Sequence, residues 1–215
     1  MSLVIAAKSS NGVAMVADRR ITSGDHVMAA STKLRRIGNW VIGTAGSAVD
    51  DLVFFRGLPP DFDFSDPFAY ADRCALLQRY FSGVNTAHAT SYVSEFHMLA
   101  ARGDALYQGN PHGLLYPVEW AAIGDSALPH LALHELFSPS APSAPLTPGP
   151  LPPSPPRLLP DELGRWLANP PVSAPPLTPR LSPVELGRRL ADIVARCSLY
   201  SGIIGDGIDI MYTNG

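Results

Sequence analysis

A layered α+β domain is the fold class that this 215-residue sequence predicts, and three observations predict it. Short apolar runs rich in Val, Ile and Ala come in hairpin pairs, helix-spaced segments alternate with groups of such runs, and a last alternating run closes the chain. Hydrophobic residues make up 46% of the chain, enough for one sizeable core, and the length fits one domain.

Residues 3–7 and 13–17 are the first such pair, and the Asn11-Gly12 step between them supplies the positive φ angles of a tight hairpin turn. A second strand pair is expected at 33–37 and 40–44, joined by Gly38-Asn39. Ser47 then caps a short helix, where Asp50 and Asp51 favour the positive end of the dipole and Gly57 stops it. Asp66-Pro67 opens a longer helix with Tyr70, Cys74, Leu77 and Phe81 along one face and Gly83 as its stop. Strands return at 96–100, 105–108 and 114–118, punctuated by Arg102-Gly103-Asp104 and by the Gly109 to Gly113 loop. A helix over 127–137, with Pro129 near its start, and an alternating terminal strand at 208–213 complete the series.

Residues 138–183 break this rhythm and hold sixteen of the 22 prolines. Within them, 152–168 returns as 175–191 with twelve of seventeen positions identical, a tandem duplication. Only the second copy has a full helix start, with Ser182 as cap, Pro183 at the first helical position and Glu185 reaching back. That copy continues through Ile193, Val194 and Cys197 as an amphipathic helix, whereas the first copy runs into Asn169-Pro170-Pro171 and stops. The expectation is one domain over 1–215 with a proline-rich duplicated insertion at about 138–181, a semi-rigid surface excursion.

The formal charge is −3 and the basic residues are scattered, which argues against a nucleic-acid partner. No apolar run is long enough to span a bilayer and no leader pattern opens the chain, so a cytoplasmic protein without a membrane partner is expected. Cys74 and Cys197 lack a His or Cys at ligand spacing and read as buried free thiols; neither a metal nor a cofactor is expected.

The chemistry lies at the start. If Met1 is removed, Ser2 becomes the first residue, and its α-amino group, with an ordinary pKa of about 7.7–8.0, can serve as base for its own hydroxyl. Such a site needs a cation beside the amine and an acid to hold the cation. Asp18 closes the second strand, so a sheet can carry it back beside the terminus, and Lys33 is expected to begin the next strand of the same sheet. Gly46 offers a backbone N–H at a strand end, backed by the helix that Ser47 caps, as the oxyanion donor. Spacing alone does not separate this constellation from an ordinary Met-Ser start, a common strand end and a solvated basic stretch with Arg35 and Arg36.

The order of several motifs resembles the β-type subunits of the proteasome and HslV, an ATP-dependent peptidase, within the N-terminal-nucleophile hydrolases. Those motifs are the terminal hydroxyl residue, the Asn11-Gly12 hairpin ending Ala17-Asp18-Arg19-Arg20, Thr32-Lys33-Leu34-Arg35-Arg36-Ile37 and Ile42-Gly43-Thr44-Ala45-Gly46-Ser47. Trp120-Ala121-Ala122-Ile123-Gly124-Asp125, Tyr200-Ser201-Gly202 and Ile210 to Asn214 extend the likeness over nearly the whole chain outside 138–180. The resemblance implies a four-layer αββα sandwich and a peptidase without cofactor. It places the nucleophile at Ser2, where most members have Thr, the acid at Asp18, the lysine at Lys33, the oxyanion glycine at Gly46 and a supporting serine at Ser201. It further implies a polypeptide substrate and a homo-oligomeric ring, and it leaves the need for an ATPase unfoldase as partner open. The chain departs from the pattern at Ser198, where many proteasome subunits have Asp, and at Gly124-Asp125-Ser126, where they have Gly-Ser-Gly. Two alternatives stay open: a ligase or transpeptidase using the same acyl-enzyme, and a catalytically silent ring subunit.

Overall fold

Apolar residues buried on both faces form the centre of the fold. In this computed structural model, which describes residues 3–23, 26–124, 128–137, 181–200 and 207–214, β1 (Leu3–Ser9) and β2 (Gly12–Asp18) pair antiparallel. Ser9 lies opposite Gly12, so the loop is Ser10-Asn11 and not the expected Asn11-Gly12. Gly12 alone of that pair has a positive φ, +145°, and a Cβ on it would stand 2.2 Å from the Thr213 carbonyl oxygen. The close approach of the last strand is therefore what requires glycine here.

A small hairpin that the sequence did not suggest follows, β3 (Arg20–Ser23) with β4 (His26–Ala30). The chain then runs through β5 (Leu34–Ile37), β6 (Trp40–Ala45), α1 (Ala48–Phe55) and α2 (Pro67–His88). Next come β7 (His97–Arg102), β8 (Ala105–Gly109), β9 (Leu115–Pro117) and β10 (Trp120–Gly124). Last are α3 (Leu128–Phe137), α4 (Pro183–Tyr200) and β11 (Ile208–Tyr212). Two antiparallel sheets carry the α+β fold, one ordered β10-β1-β2-β11 and the other β5-β6-β7-β8-β9.

This topology corrects one expectation. Lys33 precedes β5 rather than beginning it, and β5 belongs to the five-stranded sheet, not to the sheet of β1 and β2. The free edge of β2 is taken by β11, and β5 finds its partner in β6.

Val4, Met15 and Ala17 of the first sheet pack with Leu34, Val41, Leu99 and Leu106 of the second in one buried cluster. The opposite face of β1 and β2 buries Ile5 and Val16 against Leu136 of α3 and Leu186, Leu190 and Ile193 of α4. Ile42, Met98 and Ala100 bury the outer face of the second sheet against Phe54 of α1 and Tyr70, Cys74, Leu77 and Phe81 of α2. Strands covered on both faces read as continuous apolar runs, which is how 3–7 and 13–17 read.

The helix starts follow their expected chemistry. Asp66 caps α2 by accepting from the N–H groups of Phe68 and Ala69, at 2.8 and 3.3 Å. At α4, the Ser182 hydroxyl accepts from Glu185 N–H at 3.3 Å and the Glu185 carboxylate accepts from Ser182 N–H at 3.0 Å. The Ser182 N–H, with the Ser182 hydroxyl donating to the same carboxylate at 2.8 Å, holds the Glu185 carboxyl below its ordinary range. The stop at Gly83 is corrected: α2 continues to His88 and ends on Ala89 in the left-handed region, φ +51°. Gly83 faces open space, and a lone glycine costs a helix only about 1 kcal/mol, so nothing breaks the helix there. From α2, Arg73 donates to the carbonyls of Phe54 at 2.9 Å and Arg56 at 2.7 Å, closing the C-terminal end of α1.

Cys74 and Cys197 are both buried and unbridged. Among the described residues, no helix is long and apolar enough to cross a membrane and no cluster of His, Cys, Asp or Glu is placed to hold a metal ion. The insertion, with the first copy of the duplication, lies outside the described residues.

Candidate active site

Antiparallel pairing puts the end of β2 beside the start of β1, with Val4 opposite Ala17. The Leu3 N–H then donates to Asp18 Oδ1 at 2.6 Å. Lys33, arriving from the facing sheet, donates from Nζ to Asp18 Oδ2 at 2.6 Å. The carboxylate thus spans the two sheets, one oxygen on a backbone amide and the other on an ammonium. The Lys33 and Asp18 side chains are only 9% and 10% exposed, so solvent screens their attraction weakly.

The Lys33 carbonyl accepts from Thr44 N–H at 3.2 Å, tying the lysine's backbone to β6. Thr44 donates its hydroxyl to Asp51 Oδ1 at 2.8 Å, and Arg35 pairs with the other Asp51 oxygen. Two residues beyond Thr44, Gly46 leaves β6 with φ +134°. A Cβ on Gly46 would stand 2.9 Å from the Glu95 carbonyl oxygen and 3.1 Å from Phe96 Cα. Ser47 caps α1 directly afterwards, its hydroxyl accepting from Asp50 N–H at 3.1 Å, so the positive helix end lies beside Gly46.

Asp18 and Lys33 are therefore in contact, and Gly46 is at the same end of the sheets. Ser2, Ser201 and the Asp125-Ser126 pair lie outside the described residues, as does the Ser198 side chain. Asp50 and Asp51 do more than complement a helix dipole. The Ser47-to-Asp50 spacing is a capping-box signal that a closer reading of the sequence would find. The Asp51 contacts with Thr44 and Arg35 join separate elements and have no local signal.

His97 opens β7 opposite Ala45, at this same end. Burial holds its imidazole below the ordinary value of 6.5, with Glu95 opposing and His112 adding to the effect. A base depressed in the folded state binds fewer protons there than in the unfolded chain as pH falls through the imidazole range, so stability falls on acidification. His97→Gln is expected to flatten that slope in urea titrations run across the range; a slope unchanged from wild type would remove His97 as its source.

The architecture is that of an HslV/proteasome β-type fold. The structure is similar to HslV from Trypanosoma brucei, with a TM-score of 0.59, 14% identity and 99% of each chain covered. It is similar also to Thiobacillus denitrificans BPH in complex with epoxomicin, with a TM-score of 0.56, 13% identity, and 99% of this chain and 98% of that one covered. No family model matches the sequence, and no curated protein matches it.

Proposed function

We propose that the protein is a proteasome-like peptidase that uses Ser2, freed by removal of Met1, as an N-terminal nucleophile. The observation that carries this reading is the buried Asp18 carboxylate, which holds the Lys33 ammonium at 2.6 Å and the Leu3 N–H at 2.6 Å. Leu3 N is the atom to which Ser2 is bonded, so the carboxylate anchors the chain next to the nucleophile while keeping a positive charge at hand. An ammonium there favours a neutral α-amine and a developing alkoxide.

In the reaction, Ser2 Oγ attacks the peptide carbonyl and its proton passes to the α-amine. The Gly46 N–H donates to the carbonyl oxygen as it becomes an oxyanion. Collapse breaks the C–N bond, the amine returns the proton to the leaving nitrogen, and an ester remains on Ser2. Water, deprotonated by the same amine, then hydrolyses the ester and restores the hydroxyl. Asp18 acts as a positioning residue for Lys33, and Ser201 supports the amine. The fold on this reading is the four-layer αββα sandwich of a single domain with a surface insertion. The protein works in the cytoplasm as a homo-oligomeric ring fed by an ATPase unfoldase; one structural neighbour holds epoxomicin, which is consistent with a site that takes peptide-like ligands.

A peptide β-lactone tests the site. Attack by Ser2 opens the lactone's acyl C–O bond, forms an ester, and leaves the ring oxygen as a hydroxyl, so the whole lactone mass is added. Intact mass should show loss of Met1, and peptide mapping should place the adduct on Ser2. An adduct elsewhere, or none on protein that has lost Met1, overturns the reading; retained Met1 in the cellular protein points to a silent subunit.

A further inference from the structure

We propose that Asp50 is a positioning residue for the oxyanion donor, stapling the Gly46–Ser47 turn to the chain entering β7; this rests on the peptidase reading above. A single carboxylate oxygen, Asp50 Oδ2, accepts from Ser47 N–H at 3.3 Å and from Glu95 N–H at 3.3 Å. Those two amides flank the place where Gly46 presses on the backbone of Glu95 and Phe96. On its other side Gly46 follows Ala45, which is fixed in register opposite His97 on β7. The Gly46 N–H is therefore held between a strand ladder and the Asp50 clip. Glycine has wide conformational freedom, and at φ +134° the clip is what restrains it.

Helix capping alone does not account for this arrangement. The same chain builds the same kind of box at α4, where Ser182 and Glu185 bond in solvent. Asp50 is fully buried instead, and among the described residues its Oδ1 has no hydrogen-bond partner. Burial pushes the Asp50 carboxyl above its ordinary range, against the lowering contacts from Ser47 and Glu95. A buried polar atom left unmatched is a cost that an exposed cap avoids. The inward position gains the second tether, to Glu95, which no residue at a solvent-facing cap can reach.

Two electrophiles on the same peptide separate positioning from general damage. A peptide β-lactone passes through a tetrahedral alkoxide that needs the Gly46 N–H. A peptide vinyl sulfone does not: Ser2 Oγ bonds to the β-carbon, the alkene pair moves to the carbon beside the sulfone, and that carbon takes the proton. Asp50→Ala is expected to slow the lactone reaction about 10-fold, less than the roughly 10²–10³-fold seen when an oxyanion donor is lost outright, while changing the vinyl sulfone rate less than about 3-fold. Asp50→Asn, which keeps an acceptor oxygen in place, should restore the lactone rate. Should Asp50→Ala fail to fold, Asp50→Ser carries the test, because its hydroxyl fills part of the vacated space but is one atom short of the Oδ2 position that meets the Ser47 and Glu95 amides. Equal slowing of both probes, or no slowing of the lactone, overturns the proposal. Wild-type protein that reacts with neither probe at Ser2 defeats the peptidase reading itself, which is a separate result.

Discussion

Lys33→Met should abolish β-lactone labelling of Ser2 and lower folding stability by about 3–5 kcal/mol, the cost of removing one partner of a buried ion pair. Methionine matches the length and apolar stem of lysine, so packing changes little. The Asp18 carboxylate is left beside the gap at 10% side-chain exposure, without the ammonium that stood 2.6 Å away. Urea unfolding followed by tryptophan fluorescence reads the stability, and mass spectrometry reads the labelling.

The double variant Lys33→Met with Asp18→Asn separates the structural role from the chemical one. Neutralising the carboxylate removes the buried charge that lost its ammonium, so much of the lost stability should return. Labelling should not return, because no ammonium remains to favour the alkoxide and the neutral amine. A Lys33→Met protein that is labelled at the wild-type rate would show that the ammonium takes no part. Raising the salt concentration should leave the pair largely intact, since buried charges are poorly screened.

Local patterns in the sequence carried the elements and much less of their assembly. The first hairpin is readable because both of its strands are buried on both faces, and the starts of α1, α2 and α4 because Ser47, Asp66 and Ser182 are strong cap residues. The end of α2 is not readable at Gly83, since a glycine that touches nothing does not end a helix. Assigning Lys33 to the wrong sheet has a different cause. Sheet membership follows from long-range pairings, of β2 with β11 and of β6 with β7, that no local window contains. Asp18 is legible as a strand end, but its partner arrives from the facing sheet, and only the folded chain brings Lys33 to it. The same holds for Asp51, which looks like a helix-dipole acid and proves to join α1 to Thr44 and Arg35.

Gly46→Ala is the second large effect, and its cause is backbone rather than charge. At φ +134° an L side chain is strained, which costs on the order of 1–3 kcal/mol before any contact is considered. The added Cβ would also stand 2.9 Å from the Glu95 carbonyl oxygen and 3.1 Å from Phe96 Cα. Both neighbours are backbone atoms, so relief must come from moving the turn away from β7, and the Gly46 N–H moves with it. The expected result is a folded protein whose lactone reaction is slowed about 10²–10³-fold, as for loss of an oxyanion donor. Gly57→Ala is the control, because Gly57 also has a positive φ, +64°, but nothing lies within 4 Å of a Cβ there. That variant should lose about 1–2 kcal/mol of stability and keep its reaction rate. Loss of rate in both variants would trace the effect to helix α1 as a whole, whereas loss confined to Gly46→Ala ties it to the Gly46 amide; a Gly46→Ala protein reacting normally would leave the oxyanion without this donor.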